Sequence, residues 1–272
     1  MSARRALRSL LGALTLITYL FMLAPALVVV VLAFNTSPSS TFPMTGLTFR
    51  WFAELAQDDA VLGALWNSLV LALCASTLST VVGTAAALSL SCFRFAGRGP
   101  MQLMLTVPIL VPHIVLGVGL LLAFRVFGLA KSFPLLVIGH MAMTLPYVVL
   151  TTSHRLRAIP ANIEEAARTL GANRIQTFCA ITLPLALPAV LASSLFAFMS
   201  SFDEVTATLF WLPANMQTVP TQIMAMLQFS VDQKINALAA LLIVGSVVLA
   251  AAALALGRAL SVDEQRPRGK RT

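Results

Sequence analysis

The chain has 272 residues, of which 58% are hydrophobic and only 10% charged. Soluble domains carry about 25% charged residues, so a water-facing surface cannot be covered here, and a soluble enzyme, a disordered protein and a free nucleic-acid binder are excluded. The net charge of +8 is interspersed among long apolar runs, where it sets membrane orientation rather than gripping a polyanion.

A helix needs about 20 apolar residues to cross the hydrocarbon core. Residues 1–9 form a basic start with Arg4, Arg5 and Arg8, and a first span is expected over 10–34. That run is longer than the roughly 7–15 apolar residues of a signal peptide, so an uncleaved span is predicted. The loop from 35 to 63 begins rich in Ser, Thr and Pro, then places Phe49, Trp51, Phe52 and Leu55 among polar residues. A short interfacial helix is expected there, with Trp51 in the aromatic belt. Further spans are expected over 65–90, 103–124, 133–152, 187–210 and 237–256, inside one transmembrane domain, 10–260, followed by a basic tail, 261–272. The fold class expected is all-α, with six transmembrane helices. Fourteen Lys and Arg residues fall on one side of this arrangement and four (Arg50, Arg125, Lys131 and Lys234) on the other. The positive-inside rule then places both termini in the cytoplasm. Cys74, Cys92 and Cys179 are scattered without CxxC spacing, and no disulfide or zinc framework follows.

The link over 153–186 is too long for a plain loop. Asn162 with Glu165 three residues later fits a capping box. Ile163, Ala166, Ala167 and Leu170 share one helical face, and Gly171 is placed as a left-handed C-terminal cap. A second helical stretch is expected from Arg174 to Leu183, ended by Pro184. Periodicity alone leaves open an amphipathic hairpin lying on the membrane. The spacing says more. Glu165-Ala166-Ala167, then Gly171, then Ile181, Leu183 and Pro184 resembles the EAA signature of bacterial ABC-importer permeases. The resemblance implies a type I ABC-importer permease fold in a bacterial inner membrane and a coupling helix that docks on a separate ATPase. Glu165, Ala166, Ala167 and Gly171 would form the docking element. Ile181, Leu183 and Pro184 would join it to the fifth span, and Arg168 and Arg174 would add rim contacts. No GxxxxGKS/T phosphate loop occurs. No cofactor is therefore expected on this chain, and the resemblance places ATP and magnesium on the ATPase. It also implies an ATPase dimer, a second permease subunit and an external solute-binding protein as partners.

Within that family the chain looks most like the second permease subunit of spermidine/putrescine-type systems. Trp66-Asn67-Ser68-Leu69, the Pro-rich run from Val107 to Leu116, Ser201-Phe202-Asp203-Glu204 and Thr218-Val219-Pro220 carry this likeness. His113 departs from it, because an acidic residue is common at that place. A small cationic solute is implied, with an amino acid, an opine or a phosphonate as alternatives. Ser201, Phe202, Asp203 and Glu204 are the candidate pathway residues. A carboxylate at that depth must face a polar path, find a cation or cap a helix break. The residues leave three readings open: an ammonium site, a cap built from Ser200, Ser201 and Asp203, or an ion pair with the partner subunit. Phe202 and Trp211 are expected to pack or anchor, and His113 and His140 to be hydrogen-bonded packing residues. An ion-coupled secondary transporter remains the competing class, although no internal repeat is visible.

Overall fold

The computed structural model describes residues 2–38, 43–229 and 233–265. Part of the Ser/Thr/Pro-rich stretch (39–42) and most of the basic tail (266–272) lie outside the described residues. Among those residues the chain is helical, apart from one isolated antiparallel bridge between Asn35 and Leu47. Five helices are long and apolar enough to cross a membrane, or six if one bent pair counts as a single span. They are α1 (Ser2–Leu32), α3 (Asp59–Cys92), α6 (Phe133–Ala158), the run 174–202 and α12 (Gln233–Gln265). The tail expected from residue 261 is therefore still helical as far as Gln265.

Two expected spans differ from the structure. The third is not one rod. Helix α4 (Arg98–Thr106) passes through a 3₁₀ turn (Val107–Leu110) and breaks before α5 (His113–Val126), with a bend of 117°. The cause is local. Pro112 lacks an N–H and forces the residue before it out of the helical region, and Val111 is extended at φ −95°, ψ 128°. The fifth span stops at Phe202 rather than running to residue 210. Helix α9 (Leu183–Phe202) ends, the chain turns through 203–207, and a single turn, α10 (Thr208–Trp211), follows. Next comes α11 (Val219–Phe229).

The chain forms two compact units. One comprises Met1–Leu62 and Ile223–Leu249, the other Gly63–Gln222 and Ala250–Thr272. In the first, helix α2 (Arg50–Leu55) is the short element expected near residue 50. Trp51 is not an interfacial anchor, because it is buried and its Nε1–H donates to the Asn35 carbonyl at 2.8 Å. Asn35 is itself buried, and its Oδ1 accepts from the Thr45 N–H at 3.1 Å. A buried polar side chain with such partners fixes the turn geometry around it. Glu54 meets Arg50 at 2.6 Å and Lys234 of α12 at 3.4 Å.

In the second unit α6 is the central helix, and more of its apolar window is buried than in any other span. Small residues let its neighbours approach. A Cβ on Gly83 of α3 would sit 2.8 Å from the Val148 side chain, and one on Gly139 would sit 2.4 Å from the Trp211 ring. Leu71, Leu136, Met143, Ala207 and Trp211 form the core beside them.

Candidate functional site

Two places carry the residues singled out by sequence. The first is the pair of helix breaks, where α5 begins and α9 ends. Helix α9 leaves Asp203 as its C-terminal cap, with φ −88° and ψ −5°. Glu204 then caps the next turn. Its Oε1 accepts from the Ala207 N–H at 2.8 Å and from the Thr206 hydroxyl at 2.7 Å. Of the three readings left open, the cap therefore holds in part: Asp203 is the C-cap of α9, while the side chain that bonds the turn is that of Glu204. Glu204 Oε2 lies 2.6 Å from His113 Nδ1, so the residue opening α5 is fastened to the break after α9. The Glu204 side chain is 8% exposed and that of His113 37%.

His140 of α6 completes the cluster. Its Nδ1 lies 2.9 Å from the Ser201 hydroxyl and its Nε2 3.0 Å from the Thr208 hydroxyl. The Thr208 hydroxyl is also 2.9 Å from the Glu204 carbonyl, to which it can donate. Trp211 Nε1–H donates to the Gly117 carbonyl at 2.8 Å. The expected role of His140 as a hydrogen-bonded packing residue agrees with this arrangement, and of the two roles open to Trp211, packing or anchoring, its burial supports packing. Ser201 is buried against His140 rather than turned to a path. Phe202 stacks on Phe198 with ring centroids 6.0 Å apart. Asp203 differs from its neighbours: it is exposed, and its carboxylate has no hydrogen bond or ion pair among the described residues. Sequence reasoning missed the joining of His113 to Glu204, because 91 residues separate them.

The second place is the segment after α6. Helix α7 (Ala161–Thr169) starts at Pro160, which is its N-cap with no side-chain bond. The capping box expected at Asn162 and Glu165 is absent. Pro160 presets the entry at φ −64° and ψ 128°, which leaves Asn162 inside the helix. The box appears one helix later, where Asn173 and Gln176 cap each other at the start of α8 (Arg174–Thr177). Gly171 does what its position predicts. At φ +89° it closes a Schellman motif, with Gly171 N–H bonded to the Arg168 carbonyl and Ala172 N–H to that of Ala167. Pro184 does not end the following helix. Residues Phe178–Thr182 form a π turn, with Leu183 N–H reaching the Phe178 carbonyl, and the helix continues as α9. A proline ring crowds the carbonyl four residues back, and the wider turn relieves it. Glu164 Oε1 accepts from the Thr182 hydroxyl at 2.7 Å, tying α7 to that turn. Glu165 points away, exposed and without a side-chain partner among the described residues. Ala166 and Gly171 are also exposed, Ala167 and Ile181 half-buried, and no residue of α7 is buried.

A polytopic helical unit with broken spans, carrying a rigidly capped and uncovered helix between two of them, has the architecture of a membrane permease. The chain belongs to the family of binding-protein-dependent transport system inner membrane components, whose model matches residues 79–262. It is 35% identical over 235 residues to the putrescine transport system permease protein PotI of Escherichia coli (strain K12), covering 84% of this chain and 83% of that one. It is 33% identical over 253 residues to the spermidine/putrescine transport system permease protein PotC of the same organism, covering 92% and 95%. In fold it resembles a bacterial ABC transporter that imports alginate, with TM-score 0.71, 18% identity, and 93% and 96% of the two chains covered. The MetNI methionine ABC transporter matches with TM-score 0.63, 16% identity, and 79% and 99% covered. The protein is the permease subunit of an ABC importer, a multi-pass protein of the inner membrane.

Proposed function

We propose that this subunit forms half of the path of a polyamine importer and is driven by a separate ATPase seated on α7. The observation that carries the reading is the build of α7. None of its residues is buried and Leu170, its C-terminal cap, is 89% exposed, while a Schellman cap and the Glu164–Thr182 bond tie the helix down. A helix that must transmit force to the spans needs both properties. Glu165, Ala166, Ala167 and Gly171 form the docking surface. Ile181, Leu183 and Pro184 pass the motion through the π turn into α9. The excess of Lys and Arg supports a cytoplasmic position for α7 and both termini. ATP and magnesium are handled by the ATPase dimer, and a second permease and a binding protein complete the assembly. The named functions of the relatives and the unpartnered carboxylate of Asp203 support a solute bearing ammonium groups.

The test is reconstitution in liposomes with the ATPase, the second permease and the binding protein. Putrescine uptake should require ATP with magnesium on the ATPase side and the binding protein on the other. Uptake by this chain alone on an ion gradient would instead make it a secondary transporter.

A further inference from the structure

We propose that His113 is a specificity-determining residue, a resident donor that occupies Glu204 and keeps this carboxylate from the solute. The proposal deepens the polyamine reading above and rests on it. Glu204 has two oxygens, and the fold uses both. Oε1 is consumed in the turn that precedes α10, by the Ala207 N–H at 2.8 Å and the Thr206 hydroxyl at 2.7 Å. Oε2 is met by His113 Nδ1 at 2.6 Å. The imidazole is also the more exposed partner, 37% against 8%, so a solute meets the ring before the carboxylate. The other titratable group packed here is His140, both of whose nitrogens are engaged by Ser201 and Thr208; Asp203, the residue before Glu204, is exposed. The break after α9 therefore carries one exposed carboxylate, Asp203, and one already filled, Glu204.

The break in the third span makes this arrangement possible. Pro112 opens α5 so that His113 is its first residue, free to reach a turn 91 residues away. A site with one open carboxylate suits a solute that places one ammonium there. Removing the resident donor would leave Glu204 Oε2 free to accept from a second ammonium and favour more highly charged solutes.

The experiment compares putrescine, with two ammonium groups, and spermidine, with three, in the assembled transporter in liposomes. His113→Ala removes the donor, whereas His113→Asn keeps an amide N–H where Nδ1 lies. The binding protein is the same in every arm, so its selectivity cancels. His113→Ala should raise the spermidine-to-putrescine uptake ratio about fivefold, the size of one partly desolvated charge contact, while His113→Asn should stay near the wild-type ratio. A residue needed only for folding would lower both uptakes together. An unchanged ratio in His113→Ala, or equal ratios in the two variants, overturns the proposal. If the wild type imports neither polyamine, the polyamine reading has failed by itself, and the pairing is then tested by thermal unfolding in detergent. His113→Ala and Glu204→Gln should destabilise less together than the sum of the two alone; additive losses would sink the pairing too.

Discussion

Around Glu204, a carboxylate, two imidazoles and three hydroxyls find their partners within the chain. Along α7 the reverse holds: Ile163 is 39% and Leu170 89% exposed, and the Glu165 carboxylate has no partner among the described residues. Both regions are polar interruptions between apolar spans. The first must be self-sufficient, because an unsatisfied polar group inside a membrane costs several kcal/mol. On the proposed reading, the second tolerates open valences because water surrounds it until the ATPase docks. Variants of the buried packing groups of the first region, Trp211 and His140, should therefore damage folding before transport, and variants of the second should damage transport before folding.

The largest effect is expected where the cluster is packed. Trp211 is 1% exposed, lies against Gly139 and donates to the Gly117 carbonyl. Trp211→Ala should cost about 3–5 kcal/mol, as for other buried large-to-small changes. Thermal unfolding in detergent checks this, and a loss below about 1 kcal/mol, the worth of the hydrogen bond alone, would mean the ring is not a core element. Next comes Gly171→Leu. Open space surrounds the position, so no clash follows, but φ +89° disfavours any side chain, by about 1–2 kcal/mol. Stability should fall by no more than that strain, while uptake and binding-protein-stimulated ATP hydrolysis should fall at least about tenfold as the Schellman cap is lost, a change worth about 1.4 kcal/mol. Gly171→Asn, which enters the left-handed region more readily, should retain more activity. Equal losses for Leu and Asn would show that something other than backbone conformation matters there.

Asp203→Asn should have a smaller effect and sharpens the contrast inside the cluster. The side chain is exposed and unpartnered among the described residues, so stability should be unchanged. Putrescine uptake should fall several-fold, about 1 kcal/mol for one charged hydrogen bond, with stimulated ATP hydrolysis kept. Normal uptake would leave Asp203 as a mere helix terminus.

The two regions were also legible to different degrees. In α7 the helix face and the Gly171 cap follow from spacing within a dozen residues, and both are present. The start was misplaced because Asn162 and Pro160 compete for it, and a preset φ needs no side-chain cap. The same rule applied to Asn173 and Gln176 would have found the true box. The breaks were harder. Hydropathy sums composition, and Thr208-Leu209-Phe210-Trp211 keeps the sum high past the end of α9, so the fifth span was drawn too long. Pro108 and Pro112 were visible, but a window average cannot report a bend. The Glu204–His113 pair joins segments far apart in sequence, and no local pattern encodes it.

The smallest effect belongs to Glu54, in the other compact unit. The hydrogen bond from Arg50 is the largest influence holding its carboxyl below the ordinary 4.5, with Lys234 adding to it. A depressed folded value means that the carboxylate contributes stability above the unfolded value, and that this contribution is lost as pH falls through the folded one. Acidification from neutrality to below 4.5 should therefore loosen α2 from α12, and Glu54→Gln should remove that dependence. Trp51 reports locally, because its indole bond to the Asn35 carbonyl depends on α2 staying in place, and its fluorescence should shift on acidification in the wild type more than in the variant. The change should be slight and fade with salt, since exposed ion pairs are screened. A salt-insensitive acid transition of equal size in both proteins would place its origin elsewhere, and α2 would then be held by Trp51 and its packing alone.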